Sequence, residues 1–156
     1  STGARFGANL MSAISAQGEL RFMLTNRRVT AAVFIEFLKR LLINAPTPVF
    51  LIVDGHPTHR AKSVARFVAA QLGKLALFFL PPYSPELNPD ELVWNDLKTH
   101  GTGRKLITSL TQLRQMIVSH MRQLQKLPAL VRSFFHAPNH ALRTRLTGNY
   151  YATVSM

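Results

Sequence analysis

Asp54 and Glu91 are the residues of this sequence whose types and positions best suit chemistry. Asp54 closes the apolar run "PVFLIVD" at residues 48–54, and Glu91 lies in "NPDELVWNDLK", where a helical pattern restarts after a proline-rich loop. Acidic groups are scarce: Glu19, Glu36, Asp54, Glu86, Asp90, Glu91 and Asp96 are all there are, against nineteen Lys and Arg. In open α/β sheets the carboxyl ends of strands are where functional groups gather. A turn Asp that caps the next helix is the structural alternative for Asp54. Metal-assisted phosphodiester chemistry gives a carboxylate there a use, because two Mg²⁺ ions about 4 Å apart need several carboxylates drawn from different elements. Asp54 and a residue of the 88–99 helix would meet that need. Glu91 also has a structural reading: Asn88 to Glu91 has capping-box spacing, Pro89 sits at the first helical position, and Leu87 with Leu92 can form the hydrophobic staple.

The formal charge of +12 exceeds what solubility requires and points to a polyanionic partner, nucleic acid first and an anionic membrane surface well behind. Arg60, Lys62, Lys98, Arg104 and Lys105 flank the two carboxylates; each alone reads as a solvated surface residue, and together they suit DNA phosphates. Arg114, Arg122, Lys126, Arg132, Arg143 and Arg145 would extend that track. His56 and His59 have i, i+3 spacing, but no third ligand of suitable type is nearby, and the absence of cysteine removes thiolate zinc sites and disulfides. Asp90 reads as a complement to the helix dipole, and Trp94 as a core residue. No apolar run approaches the roughly 18 residues of a membrane span, so a soluble cytoplasmic protein is expected.

The elements that must position these groups are legible in the apolar pattern. Residues 6–14 and 19–24, linked by "SAQG", predict an antiparallel hairpin. Thr30 is an N-cap candidate for a helix with apolar stripes at Val33, Phe37, Leu41 and Phe34, Leu38, Leu42, ended before Pro46. Residues 48–54 and 75–80 are continuous apolar runs, as in strands buried on both faces. Between them Val64, Phe67, Val68 and Leu72 mark a helix closing at Gly73, so the three form a βαβ unit with parallel strands. Helices over about 89–99, 108–125 and 128–136 follow, and "HGTGRK" interrupts them. The last twenty residues are weakly periodic and read as a frayed or docking tail.

"LIVDGHPTHRAK" followed by "LPPYSPELNPDELVWNDLK" resembles the catalytic core of bacterial insertion-sequence transposases of the mariner superfamily, DDE endonucleases on an RNase H-like fold; "LVRSFFHAP" resembles the tail of one branch. The resemblance spans roughly residues 3–140. It implies that Asp54 is the second catalytic aspartate and Glu91 the third acidic residue, with thirty-six residues between them. It places His59 as a residue that orients DNA or the active-site loop, and Asn88, Pro89 and Trp94 as the turn and helix presenting Glu91. It further implies Mg²⁺ or Mn²⁺, two ions in the intact enzyme, DNA at transposon ends and target as substrate, and a homodimer or larger assembly.

One member of the triad is missing. The resemblance puts the first aspartate at the end of a first, central strand upstream of "RFGANLMSAIS", and no acidic residue precedes Glu19. The expected fold is therefore an RNase H-like mixed α/β sheet lacking its first strand, with residues 1–105 as the catalytic-core segment and 106–156 as a helical extension of the same domain. Loss of a central strand would leave two sheet edges unpaired and favour association with another copy or a missing segment. Two functions follow: a segment of a strand-cleaving, strand-transferring transposase, or an inactive remnant acting as a basic DNA-binding or oligomerising module.

Overall fold

A computed structural model of the chain describes residues 8–81, 88, 90–102, 107–135 and 150–155. Its strands are β1 (Asn9–Ser15), β2 (Leu20–Thr25), β3 (Val49–Val53), β4 (Leu75–Phe79) and β5 (Tyr150–Ser155). Its helices are α1 (Ala31–Leu42), α2 (Lys62–Ala70), α3 (Asp90–Asp96), α4 (Leu110–Gln125) and α5 (Pro128–Phe135). The strands form one sheet in the order β2-β1-β5-β3-β4. β1 is antiparallel to β2 and β5, while β3 is parallel to β4 and β5.

Alternation along the strands sorts the core into two layers. Met11, Ala13, Leu51 and Val53 face α1 and α2, joining Phe34, Phe37, Leu38 and Val64. Leu10, Ile14 and Ile52 face the other way, onto Val93, Trp94, Ile117, Met121, Val131 and Phe135 of α3, α4 and α5. Each large side chain so buried contributes about 1.5–3 kcal/mol. This is why β3 is a continuous apolar run: both of its faces are covered.

The helix starts follow their caps. Thr30 Oγ1 accepts from the Val33 amide at 3.3 Å, and Ser109 Oγ from the Gln112 amide at 3.1 Å. The hairpin turn uses Gly18 at φ 94°, where a Cβ would come within 2.4 Å of the Pro128 carbonyl oxygen, so glycine allows both the turn and the approach of α5. Leu72 departs from the expected helical stripe. α2 ends at Ala70, and Leu72 and Gly73 turn the chain into β4 at φ 54° and 86°, leaving Leu72 89% exposed.

Two expectations about the sheet are corrected. The chain's end does not read as a frayed tail throughout, because residues 150–155 form β5. Nor are two inner edges left open, because β5 lies between β1 and β3 and pairs with both. Backbone N–H and C=O groups inside a covered sheet must find partners, and the paired edges of β1 and β3 satisfy that need through β5.

Candidate active site

Asp54 follows Val53 directly and has the strand parity of Ile52, which puts it on the sheet face that carries α3. Its Oδ1 accepts from the His56 amide at 3.0 Å and from His59 Nδ1 at 2.9 Å. The same Nδ1 lies 3.2 Å from the Asp54 carbonyl oxygen, so both neighbours are acceptors and the proton is assigned to Nδ1. Burial works against the Asp54 charge, but the hydrogen bonds from the His59 ring and the His56 amide outweigh it and hold the carboxyl below its ordinary value. Asp54 Oδ2 makes no hydrogen bond among the described residues.

His59 is 1% exposed and stacks on Phe34 with ring centroids 4.4 Å apart. Such burial leaves it no surface for a phosphate, so its place in the site is to hold the Asp54 loop rather than to touch DNA. The 3₁₀ turn Pro57–Arg60, in which His56 Nδ1 accepts from the Thr58 amide at 3.2 Å, delivers the ring to that position.

Asn88 starts α3: its Oδ1 accepts from the Asp90 amide and its carbonyl from the Glu91 amide, both at 3.1 Å. Those bonds assign the cap to Asn88, and the Glu91 carboxylate makes no hydrogen bond among the described residues. Burial raises the Glu91 carboxyl above its ordinary value, the Lys98 charge opposes the rise, and the Asp54 charge adds to it. Glu91 therefore lies within the field of Asp54, and Lys98 within the field of Glu91.

Sequence reasoning missed what anchors this helix. Asp90 is fully buried, and Ser12 Oγ of β1 donates to its Oδ2 at 2.6 Å. Asp90 thus ties the start of α3 to the sheet in addition to any effect on the dipole; the available signal was Ser12, a polar residue inside the apolar run of β1. Trp94 is a core residue at 7% exposure, and its Nε1 has no acceptor among the described residues. Beyond α3, a π-helical turn (Leu97–Thr102) lies so close to α4 that a Cβ on Gly101 would stand 2.9 Å from His120 Cγ. There His120 Nε2 pairs with Asp96 Oδ2 at 2.7 Å and His100 Nδ1 lies 3.3 Å from Asp96 Oδ1, an interaction also unforeseen.

Of the basic residues expected at the site, Arg60, Lys62 and Lys98 are exposed, and the Arg60 guanidinium lies 4.2 Å above the Phe79 ring. Arg104, Lys105 and Pro89 lie outside the described residues. Among the described residues no group of three His, Cys, Asp or Glu could hold a metal ion. Asp54 and Glu91 nevertheless fit a divalent cation as part of an oxygen ligand set: Asp54 is held ionised with Oδ2 uncommitted, and a cation would relieve the strain that its charge places on Glu91.

No helix among the described residues is long and apolar enough to cross a membrane. Comparison with curated proteins and with solved structures gives no match. The family model described as "DDE superfamily endonuclease" matches residues 1–114, and the mixed α/β architecture is consistent with the RNase H-like domain of such enzymes, which use divalent metals on DNA. With the match covering well over half of its length, the chain belongs to the DDE superfamily of endonucleases.

Proposed function

We propose that this chain is the catalytic-core segment of a transposase of the bacterial insertion-sequence, mariner-like kind, with Asp54 and Glu91 as its two metal-holding carboxylates. The observation that carries the reading is electrostatic: the Asp54 charge acts on a half-buried Glu91 carboxyl presented from a separate element on the same sheet face. In the intact enzyme, metal-dependent hydrolysis at a transposon end would free a 3′ hydroxyl that then attacks target DNA. Bound Mg²⁺ or Mn²⁺, two ions in that enzyme, would activate the attacking oxygen and stabilise the leaving one. His59 and the His56 amide keep Asp54 ionised and aimed, Asn88 sets where α3 begins, and Ser12 with Asp90 fixes α3 to the sheet. Arg60, Lys62 and Lys98 face solvent, where they can neutralise DNA phosphates, and residues 106–156 complete the same domain as residues 1–105.

The small ligand set favours a second reading. With no group of three ligands among the described residues, the chain alone would bind DNA through its +12 charge without cutting it, alone or as a homodimer or larger assembly. Incubation of supercoiled plasmid with the chain in Mg²⁺ or Mn²⁺ separates the two. Metal-dependent nicking that disappears in Asp54→Asn supports the enzyme; nicking unchanged in that variant refutes the assignment of Asp54, and DNA binding with no nicking supports the module.

A further inference from the structure

After Asp96 the sequence contains no acidic residue. On α4 this leaves a surface of one character. The inner face of the helix, with Ile117, His120, Met121 and Leu124, is buried against the π-helical turn, β2 and α5. On the outer side Gln112, Gln115, Ser119 and Gln123 follow one another at steps of three and four residues, which on a helix makes a single stripe. Arg122 and Lys126 stand beside it and are exposed, as are Gln115, Ser119 and Gln123. A face that only meets water mixes both signs of charge and gains from acid–base pairs four residues apart. This one has no carboxylate to form such a pair.

The stripe is also uncommitted. Gln115, Ser119 and Gln123 make no side-chain hydrogen bond among the described residues. Gln112 Oε1 accepts from the amide and hydroxyl of Thr108 at 2.7 and 3.0 Å, which leaves its Nε2 donors over. Gln125, outside the stripe, is by contrast tied to the Leu20 carbonyl at 3.0 Å. Neutral amides and a hydroxyl match neutral patterns of donors and acceptors, and base edges in the major groove of DNA are such a pattern: Gln pairs with adenine N6 and N7, and Ser with any base. Gln112 to Gln123 cover about 16 Å of helix, the length of about five base steps, and the major groove admits an α-helix. The stripe holds no apolar side chain, which the centre of a protein interface would require.

α4 is fixed to the helix that carries Glu91. Asp96, at the end of α3, pairs with His120 of α4 at 2.7 Å, and Gly101 lets the π-helical turn close on α4, since a Cβ there would stand 2.9 Å from His120 Cγ. DNA held on α4 is therefore held at a set distance from Glu91.

We propose that the exposed face of α4 is a base-reading surface. Gln115, Ser119 and Gln123, with Gln112, contact base edges in the major groove of duplex DNA, and Arg122 and Lys126 contact its phosphates, so that α4 selects the sequence whose backbone reaches Asp54 and Glu91. The inference rests on DNA as the substrate and goes beyond it in giving the chain a sequence preference.

Selection from a randomised duplex pool by the full chain, in EDTA so that no cleavage intervenes, should enrich a short motif. On the enriched duplex Gln115→Ala and Gln123→Ala should each weaken binding about tenfold, with affinity for the unselected pool unchanged. Arg122→Ala should weaken both alike and lower the salt slope by about one. Gln115→Glu, taken through the same selection, should change the preferred base at one position from adenine to cytosine, a shift that a structural role would not produce. All these positions are exposed, so the variants should keep the parent's melting temperature, followed by Trp94 fluorescence. Binding of the pool without enrichment, or a motif that survives both alanine variants, overturns the proposal and leaves DNA as the substrate. No binding of any duplex at low salt strikes the DNA reading together with it. Self-association that is lost in Gln115→Ala, with DNA selection unchanged, assigns the face to a second copy of the chain and likewise overturns the proposal.

Discussion

Ser12→Ala should weaken the whole fold although it removes a single oxygen. Ser12 Oγ donates to Asp90 Oδ2 at 2.6 Å, and both residues are fully buried. Removing the hydroxyl takes away a buried partner of the Asp90 side chain, which costs about 1–3 kcal/mol, so the expected loss is about 2 kcal/mol. At about 2–4 °C per kcal/mol for a domain of this size, the melting temperature should fall by about 4–8 °C. Trp94, the only tryptophan, lies four residues after Asp90 in the same helix and is buried, so its fluorescence during urea unfolding reports the region directly. A double-mutant cycle of Ser12→Ala with Asp90→Asn should give a coupling energy of about 1–2 kcal/mol. A Ser12→Ala chain within about 0.5 kcal/mol of the parent, or a cycle with no coupling, would refute the claim that this bond anchors α3.

Gly18→Ala should destabilise the chain by more than about 1 kcal/mol, because residue 18 sits at φ 94° with the Pro128 carbonyl 2.4 Å from the added Cβ. Gly55→Ala, with nothing within 4 Å, should stay within about 0.5 kcal/mol in the same urea titration. His59→Phe keeps an aromatic ring against Phe34 but deletes the donor to Asp54, so the Asp54 carboxyl should rise toward its ordinary value in a carbon-13 NMR titration. Asp54 is lowered in the folded state, so its contribution to stability is fully present above the unfolded value near 3.8 and is lost as pH falls through the lower folded value. His59→Phe should accordingly flatten that acid limb of the stability profile; an unchanged limb would mean that the His59 bond does not hold Asp54.

Much of the frame was legible because its signals are local. Thr30 and Asn88 are side chains that cap the helix they precede, and the apolar runs of β3 and β4 flank a helix in an order that forces parallel pairing. The position of Asp54 was readable for the same reason, as the residue that ends such a run. β5 was not, because "YYATVS" has no alternation of its own to declare a strand, and only the open edges of β1 and β3, distant in sequence, define it. Asp90 read as a complement to the helix dipole, because its partner Ser12 lies seventy-eight positions away and only the fold brings the two together. His120 with Asp96 hid in the same way, twenty-four positions apart on separate helices. Leu72 misled in the opposite sense: hydrophobic spacing extended a helix that the turn at Leu72 and Gly73 ends.

The central claim is that Asp54 and Glu91 share one electrostatic site. A carbon-13 NMR titration of the Glu91 carboxyl in the parent chain and in Asp54→Asn tests it most directly. The Glu91 value should lie above the ordinary one in the parent and fall in Asp54→Asn, while the part of the rise due to burial remains. A Glu91 titration that does not move when the Asp54 charge is removed would place the two carboxylates in separate surroundings and contradict the account.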